Sequence, residues 1–227
     1  MAVPVDGDPH LVTPTLESGP YLRSPVKIVV HSWSDAEGPS NAMQETAKQL
    51  NLNGRWGMEG RVPYRFIHVL LKFAQPQFEN ADPILEEIRS LKEPDEIQLL
   101  TRSASILCKS FLTLPKLIRA GKSELGLAQE MAHEIRSNGA ESAPDVLIQS
   151  GPMAADGHHL PSTRKLKRKE SLVVDASCTY AGYFADITRT FMIGRDATFE
   201  KLYESVLEAQ VAAVNSSRVG ATVGSVD

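Results

Sequence analysis

The stretch that decides the fold is Asp175-Ala-Ser-Cys-Thr-Tyr-Ala-Gly-Tyr-Phe-Ala-Asp186-Ile-Thr-Arg-Thr-Phe191. Two apolar, β-branched runs flank Ala181-Gly182, and the simplest reading is a β-hairpin with those two residues as its loop. Tyr180 then pairs with Tyr183, Ser177 with Asp186 and Asp175 with Thr188. Side chains alternate faces along a strand, so Asp175, Ser177 and Asp186 share one face. The two carboxylates become diagonal neighbours, about 7–8 Å apart at the backbone and closer at their tips. Crowded carboxylates repel and take up protons unless a cation neutralises them. A pair of divalent ions about 3.5–4 Å apart suits such an arrangement. Aspartate is disfavoured in strands, and the bland alternative is that both are ordinary turn or edge residues.

A second stretch precedes the hairpin. Ser150-Gly-Pro-Met-Ala-Ala-Asp-Gly-His158-His159-Leu-Pro161 follows an apolar strand and supplies two imidazoles, which can bind metal, take a proton or hold a substrate carboxylate. The alternative here is a Gly/Pro loop with surface histidines.

Outward from these motifs the chain reads as α/β. Pro25–His31 has the β-branched run of a buried strand. Ser40 is placed to cap a helix over Asn41–Leu52, stopped by Asn53-Gly54, and a second helix is expected from Pro63 to Phe73. Leu91-Lys92-Glu93-Pro94 marks a composition shift and a domain boundary. Beyond it, Ile97, Leu100, Ala104, Leu107, Phe111 and Leu114 recur at helical spacing, with Pro115 expected to end or kink the helix. Ser123 is expected to cap a helix carrying Leu127, Met131 and Ile135, closed by Asn138-Gly139. Strands are expected at Pro144–Gln149, Ser171–Ser177 and Ile187–Ile193. A last helix opens at Asp196 or Thr198, with Phe199, Leu202 and Val206 facing one way.

Taken together, the two motifs resemble the pita-bread metallopeptidases: methionine aminopeptidase, Xaa-Pro aminopeptidase, prolidase and the metal-free relative creatinase. Gly182-Tyr183-Phe184-Ala185-Asp186-Ile187-Thr188-Arg189-Thr190-Phe191 matches that family's hairpin closely, as does the step from Asp175 to Asp186. Lys92-Glu93-Pro94-Asp95-Glu96-Ile97 is similar to the phrase that opens the catalytic domain. The resemblance implies a partial creatinase-like N-terminal domain over residues 1–92 and the N-terminal half of a pita-bread catalytic domain over residues 93–227. It implies that Asp175 and Asp186 are the first two ligands of a site for two divalent ions (Mn, Co or Zn). It implies that His158 is catalytic, steadying the scissile peptide or its tetrahedral intermediate, and that His159 is its neighbour in substrate binding.

The implied reaction is metal-dependent hydrolysis of the bond preceding proline in a peptide substrate, by a dipeptidase or an aminopeptidase. Met153 stands where Asn is usual in the family, and Ser177 where Gly is usual. The family's remaining ligands, one His and two Glu, have no counterpart after Asp186. Glu200, Glu204 and Glu208 repeat at helical spacing and read as a solvated face. The expectation is therefore that this chain alone is inactive. The rival is a non-catalytic peptide- or protein-binding module of the same fold. A metal-free hydrolase of the creatinase kind is disfavoured by the two aspartates.

Composition narrows the partners. Hydrophobic residues at 42% and charged residues at 23% are ordinary for a globular protein. A net charge of −4 exerts no pull toward nucleic acid. The basic run Arg164, Lys165, Lys167, Arg168 and Lys169 reads as a solvated turn. No apolar run is long enough to span a membrane, and Met1–His10 does not read as a secretory leader. Cys108 and Cys178 lack metal-site spacing and are expected as buried free thiols in a reducing cytoplasm. Members of the family often dimerise, which makes a homodimer the expected assembly.

Overall fold

The computed structural model describes residues 1–227, which divide into two compact units, Met1–Leu91 and Lys92–Asp227. In the first unit the order is β1 (His10–Pro14), α1 (Gly19–Leu22), β2 (Val29–Trp33), α2 (Ser40–Gln49), β3 (Arg55–Met58), α3 (Tyr64–Leu70), β4 (Gln77–Asn80) and α4 (Asp82–Ser90). β1 pairs with β2 and β3 with β4, both in parallel, so each pair needs a crossover between its strands. Ala47, Leu52 and Ala74 form a small buried cluster, with Trp56, Leu70 and Phe73 packed against it.

Several boundaries in this unit differ from expectation. The first β-branched run enters the ladder only at Val29, because the Val26 N–H is taken by Ser24 Oγ at 3.1 Å in a local turn. Ser40 is the first residue of α2 rather than its cap, and its side chain makes no capping bond. That helix stops at Gln49, where Asn51 turns into the left-handed region at φ 49°. Pro63 caps α3 instead of opening it.

The second unit contains α5 (Pro94–Leu117), α6 (Glu124–Ser137), β5 (Val146–Ser150), β6 (Ser171–Tyr180), β7 (Tyr183–Met192), α7 (Ala197–Ser216) and α8 (Val223–Val226). Its sheet is antiparallel in the order β5-β6-β7. α5 opens on a reciprocal capping box between Glu93 and Glu96, with Pro94 in the first turn. Pro115 does not end α5; the helix runs on for two residues to Leu117. A proline this close to the C-terminus removes one bond from a turn that is about to end anyway. The buried face of α5 is Ser103, Ile106, Leu107, Ser110 and Leu114, whereas Ile97 is exposed.

Strand β6 makes the core legible. Leu172, Val174, Ala176 and Cys178 alternate onto one face and are buried against Ile106, Leu107 and Leu114 of α5 and Leu127, Met131 and Ile135 of α6. Burying six such side chains contributes on the order of 1.5–3 kcal/mol each. Cys108, expected to be buried, is exposed on α5; Cys178 lies in the core, its sulfur 3.4 Å from Ser103 Oγ. Asp196 caps α7 by accepting from the N–H groups of Thr198 and Phe199 at 3.0 and 3.1 Å. No residue of α7 is buried, and Leu202 and Val206 of its expected inward row are exposed. No helix is long and apolar enough to cross a membrane.

Candidate metal centre and its flanking loop

The β6–β7 hairpin closes through Ala181 at φ 49° and Gly182 at φ 78°. Two consecutive positive φ angles make the tight turn whose twist matches the strands. The register is the expected one: Tyr180 faces Tyr183, Ser177 faces Asp186 and Asp175 faces Thr188. Asp175 and Asp186 therefore lie on the sheet face opposite the helices.

Asp175 is half-buried and accepts a hydrogen bond from Thr188 Oγ1 at 2.7 Å. Asp186 is open to solvent on one side, yet its carboxyl is pushed above the ordinary aspartate value of 3.8. The largest cause is hydration lost to the packed neighbours. A hydrogen bond with Asp175, its charge and then the charge of Asp145 add to it. Asp145 is a group that sequence reasoning missed. Its carbonyl accepts from the Ser177 N–H at 2.9 Å, one step before the start of β5, which brings a third acid to the same edge of the site. An acid placed immediately before a strand that pairs with the Asp175 strand was the available signal. Gln149 also belongs to this face by alternation; it is buried, and its Nε2 has no hydrogen-bond partner.

These donors fit a divalent cation in kind: hard carboxylate oxygens, one of them with its pKa raised by lost hydration and by neighbouring acids. They fit it in number only partly. No group of three or more His, Cys, Asp or Glu side chains converges closely enough to hold an ion. His158 and His159 do not join the aspartates in such a cluster. His158 is exposed, and its backbone N–H reaches Asp156 Oδ1 at 3.4 Å. His159 Nε2 lies 3.3 Å from Glu124 Oε2.

Glu124, at the start of α6, is fully buried, and sequence reasoning did not single it out. Its Oε1 accepts from the Ser150 N–H and hydroxyl at 3.0 and 2.6 Å. Its Oε2 accepts from the Ser162 N–H and hydroxyl at 3.1 and 2.7 Å. Burial alone would raise the carboxyl's pKa, but the bonds from Ser150 and Ser162 together outweigh it and hold the group below its ordinary 4.5. Arg164, expected as part of a solvated basic turn, is instead bound within this network. Its Nη1 donates to Ser150 Oγ at 2.6 Å and its Nη2 to both oxygens of Glu170 at 2.7 and 2.9 Å. Gly151, at φ 55°, lies so close that a Cβ there would fall 2.7 Å from Arg164 Nη2 and 2.8 Å from Glu170 Cδ. Only glycine fits that start of the loop.

A cavity of about 770 Å³ opens in the first unit among Val12, Met43, Trp56, Phe66 and Leu70, but none of the candidate site residues lines it.

Comparison with known proteins places this geometry. Residues 98–227 match the profile of metallopeptidase family M24. A Xaa-Pro dipeptidase from Pyrococcus horikoshii is 34% identical over 188 residues, covering 82% of this chain and 54% of that protein. Among solved structures, a prolidase from Thermococcus sibiricus superposes with a TM-score of 0.82 at 28% identity, covering 92% of this chain and 58% of that one. Dipeptidase PepE from Mycobacterium ulcerans gives 0.79 at 29% identity, covering 93% and 58%. The chain thus spans about half the length of the curated relatives it matches. Its α/β architecture is that of the pita-bread peptidases, and with more than half of its residues inside the family profile, the chain belongs to metallopeptidase family M24.

Proposed function

We propose that a chain of the relatives' full length carrying these residues hydrolyses the peptide bond preceding proline, with Asp175 and Asp186 as the first ligands of two divalent ions. The observation that carries this reading is the hairpin register. It sets two acids on one exposed sheet face and leaves Asp186 with a raised carboxyl pKa and no cationic side chain as its partner. The names of the relatives, Xaa-Pro dipeptidase and prolidase, support the substrate class.

Ions bound there would supply Lewis-acid activation of water and of the scissile carbonyl. The chain's own residues do the rest. Asp175 is oriented for a ligand by the Thr188 hydroxyl, which takes one lone pair of Oδ1 and leaves Oδ2 free of that bond. His158, exposed on its loop, offers a hydrogen-bond donor to the substrate carbonyl oxygen or to the negative charge that develops on it. His159, held at its far side by Glu124, lines the same loop as a substrate contact. Two free cysteines support a reducing, cytoplasmic setting.

With two or three carboxylates and no converging His or Glu, the 227-residue chain by itself binds Mn²⁺, Co²⁺ or Zn²⁺ weakly and does not turn over Xaa-Pro substrates. The test is an assay with Ala-Pro and Gly-Pro. A chain of the relatives' full length hydrolyses them in the presence of metal, and Asp186→Asn lowers kcat/KM by more than the ~10–100-fold typical of an outer-shell partner. Robust hydrolysis by the Asp186→Asn protein would refute the assignment. Peptide binding without hydrolysis by the full-length chain would favour the non-catalytic module.

A further inference from the structure

The loop that carries His158 and His159 begins at Ser150 and returns at Ser162. A single carboxylate holds both ends: Oε1 of the buried Glu124 takes both donors of Ser150, and Oε2 takes both donors of Ser162. The directions of these bonds follow from their neighbours. Ser150 Oγ accepts from Arg164 Nη1 at 2.6 Å, so its one proton is free for Glu124. Ser162 Oγ accepts from the Arg164 N–H at 3.1 Å, so its proton too goes to Glu124. The backbone N–H groups of Ser150 and Ser162 have no alternative role but to donate. A carboxylate surrounded by four donors is ionised, in line with its lowered pKa, and an ionised carboxylate only accepts. The fifth neighbour, His159 Nε2 at 3.3 Å, must therefore carry the ring proton.

We infer that Glu124 is a positioning residue for the candidate site: it clasps both ends of the loop bearing His158 and holds His159 as the Nε2–H tautomer, so that Nδ1 is left as a hydrogen-bond acceptor. With its ring in that tautomer, His159 receives a donor from a peptide substrate, its amide N–H or its α-ammonium, rather than its carboxylate. Only that last role rests on the peptidase reading; the clasp and the tautomer stand on the geometry.

The test is nitrogen-15 NMR of the 227-residue chain labelled at its six histidines, at about pH 8, above the ordinary imidazole value of about 6.5. His159→Gln identifies the His159 signals by their loss. The wild-type protein shows His159 with a protonated Nε2 and an unprotonated Nδ1. Glu124→Gln presents an amide where acceptors are required, and the His159 signals move to mixed or Nδ1–H character. A wild-type His159 protonated on Nδ1 overturns the inference, and so does a folded Glu124→Gln protein with unchanged His159 signals. The wild-type spectrum decides the matter even if the variant does not fold. Neither spectrum depends on metal or turnover, so a failure of metal binding at Asp175 and Asp186 would end the peptidase reading without touching this result, and the reverse holds as well.

Discussion

Two acidic centres occupy opposite faces of one three-stranded sheet, and the chain treats them in opposite ways. On the helix-covered side, Glu124 is fully buried and its two oxygens are met by four serine donors. On the open side, Asp175 and Asp186 are diagonal neighbours sharing a hydrogen bond, Asp175 also takes the Thr188 hydroxyl, and the charge of Asp145 lies nearby. Burial penalises both. In the first case hydrogen bonds outweigh the penalty and the carboxyl pKa falls; in the second the neighbours add to it and the pKa rises. A buried charge that the fold satisfies by itself is structural. A pair that the fold leaves in mutual repulsion asks for a partner from solution.

The largest expected effect breaks the satisfied centre. Glu124→Ala strands four donors in the interior and lowers the stability of the second unit by about 3–5 kcal/mol, which urea unfolding followed by circular dichroism would read. If the change costs less than about 1 kcal/mol, the four bonds do not hold the loop.

Next is a change of opposite sign. Asp186→Asn removes a repelling charge and raises the melting temperature in metal-free buffer. Saturating Mn²⁺ reverses the order, because only the wild-type pair gains from the ion. An Asp186→Asn protein less stable than wild type without metal would remove the distinction between the two centres.

The pH dependence sharpens the same contrast. The Glu124 pKa is depressed, so its contribution is present above the unfolded value of about 4.5 and is lost as pH falls through the folded value. The Asp186 pKa is raised above 3.8, so the native state holds more protons than the unfolded one. The penalty from Asp186 grows as pH rises from there through its folded value. The stability gap between Asp186→Asn and wild type accordingly shrinks on acidification, which melting curves between neutral pH and pH 4 would show.

The smallest effect tests the turn that sets the register. Ala181 holds φ 49°, a conformation in which its Cβ is strained. Ala181→Gly stabilises the hairpin by a few tenths to about 1 kcal/mol and leaves metal affinity unchanged. Loss of metal affinity in that variant would mean that the turn does more than fix the pairing.

The two centres also differ in how far the chain's letters announce them. Alternation along β6 and the Ala-Gly pair at its tip were enough to place Asp175 and Asp186 on one face, because strand periodicity is local and a two-residue loop leaves one register. The helix of Leu127, Met131 and Ile135 was equally legible from its spacing and its Ser123 cap. Glu124 was not. A glutamate in a helix's first turn is ordinary, and only contacts reaching to Ser150 and Ser162 show it to be buried. Arg164 was misread for the same reason: a basic cluster is solvated by default, and its partners Ser150 and Glu170 are visible only in the folded chain. Pro115 was overweighted, since a helix tolerates proline where it is about to end. The Phe199, Leu202 and Val206 row of α7 was visible, but whether a row is covered is a tertiary fact, and within this chain Phe199 is only half-buried while Leu202 and Val206 are exposed.

The most direct test of the central claim is calorimetric titration of Mn²⁺ into the metal-free 227-residue chain, beside Asp175→Asn and Asp186→Asn. Weak, saturable binding in the wild-type chain that disappears in both variants is the predicted result. Equal heats in all three proteins would contradict it, for then the shared face of the hairpin would hold no ion.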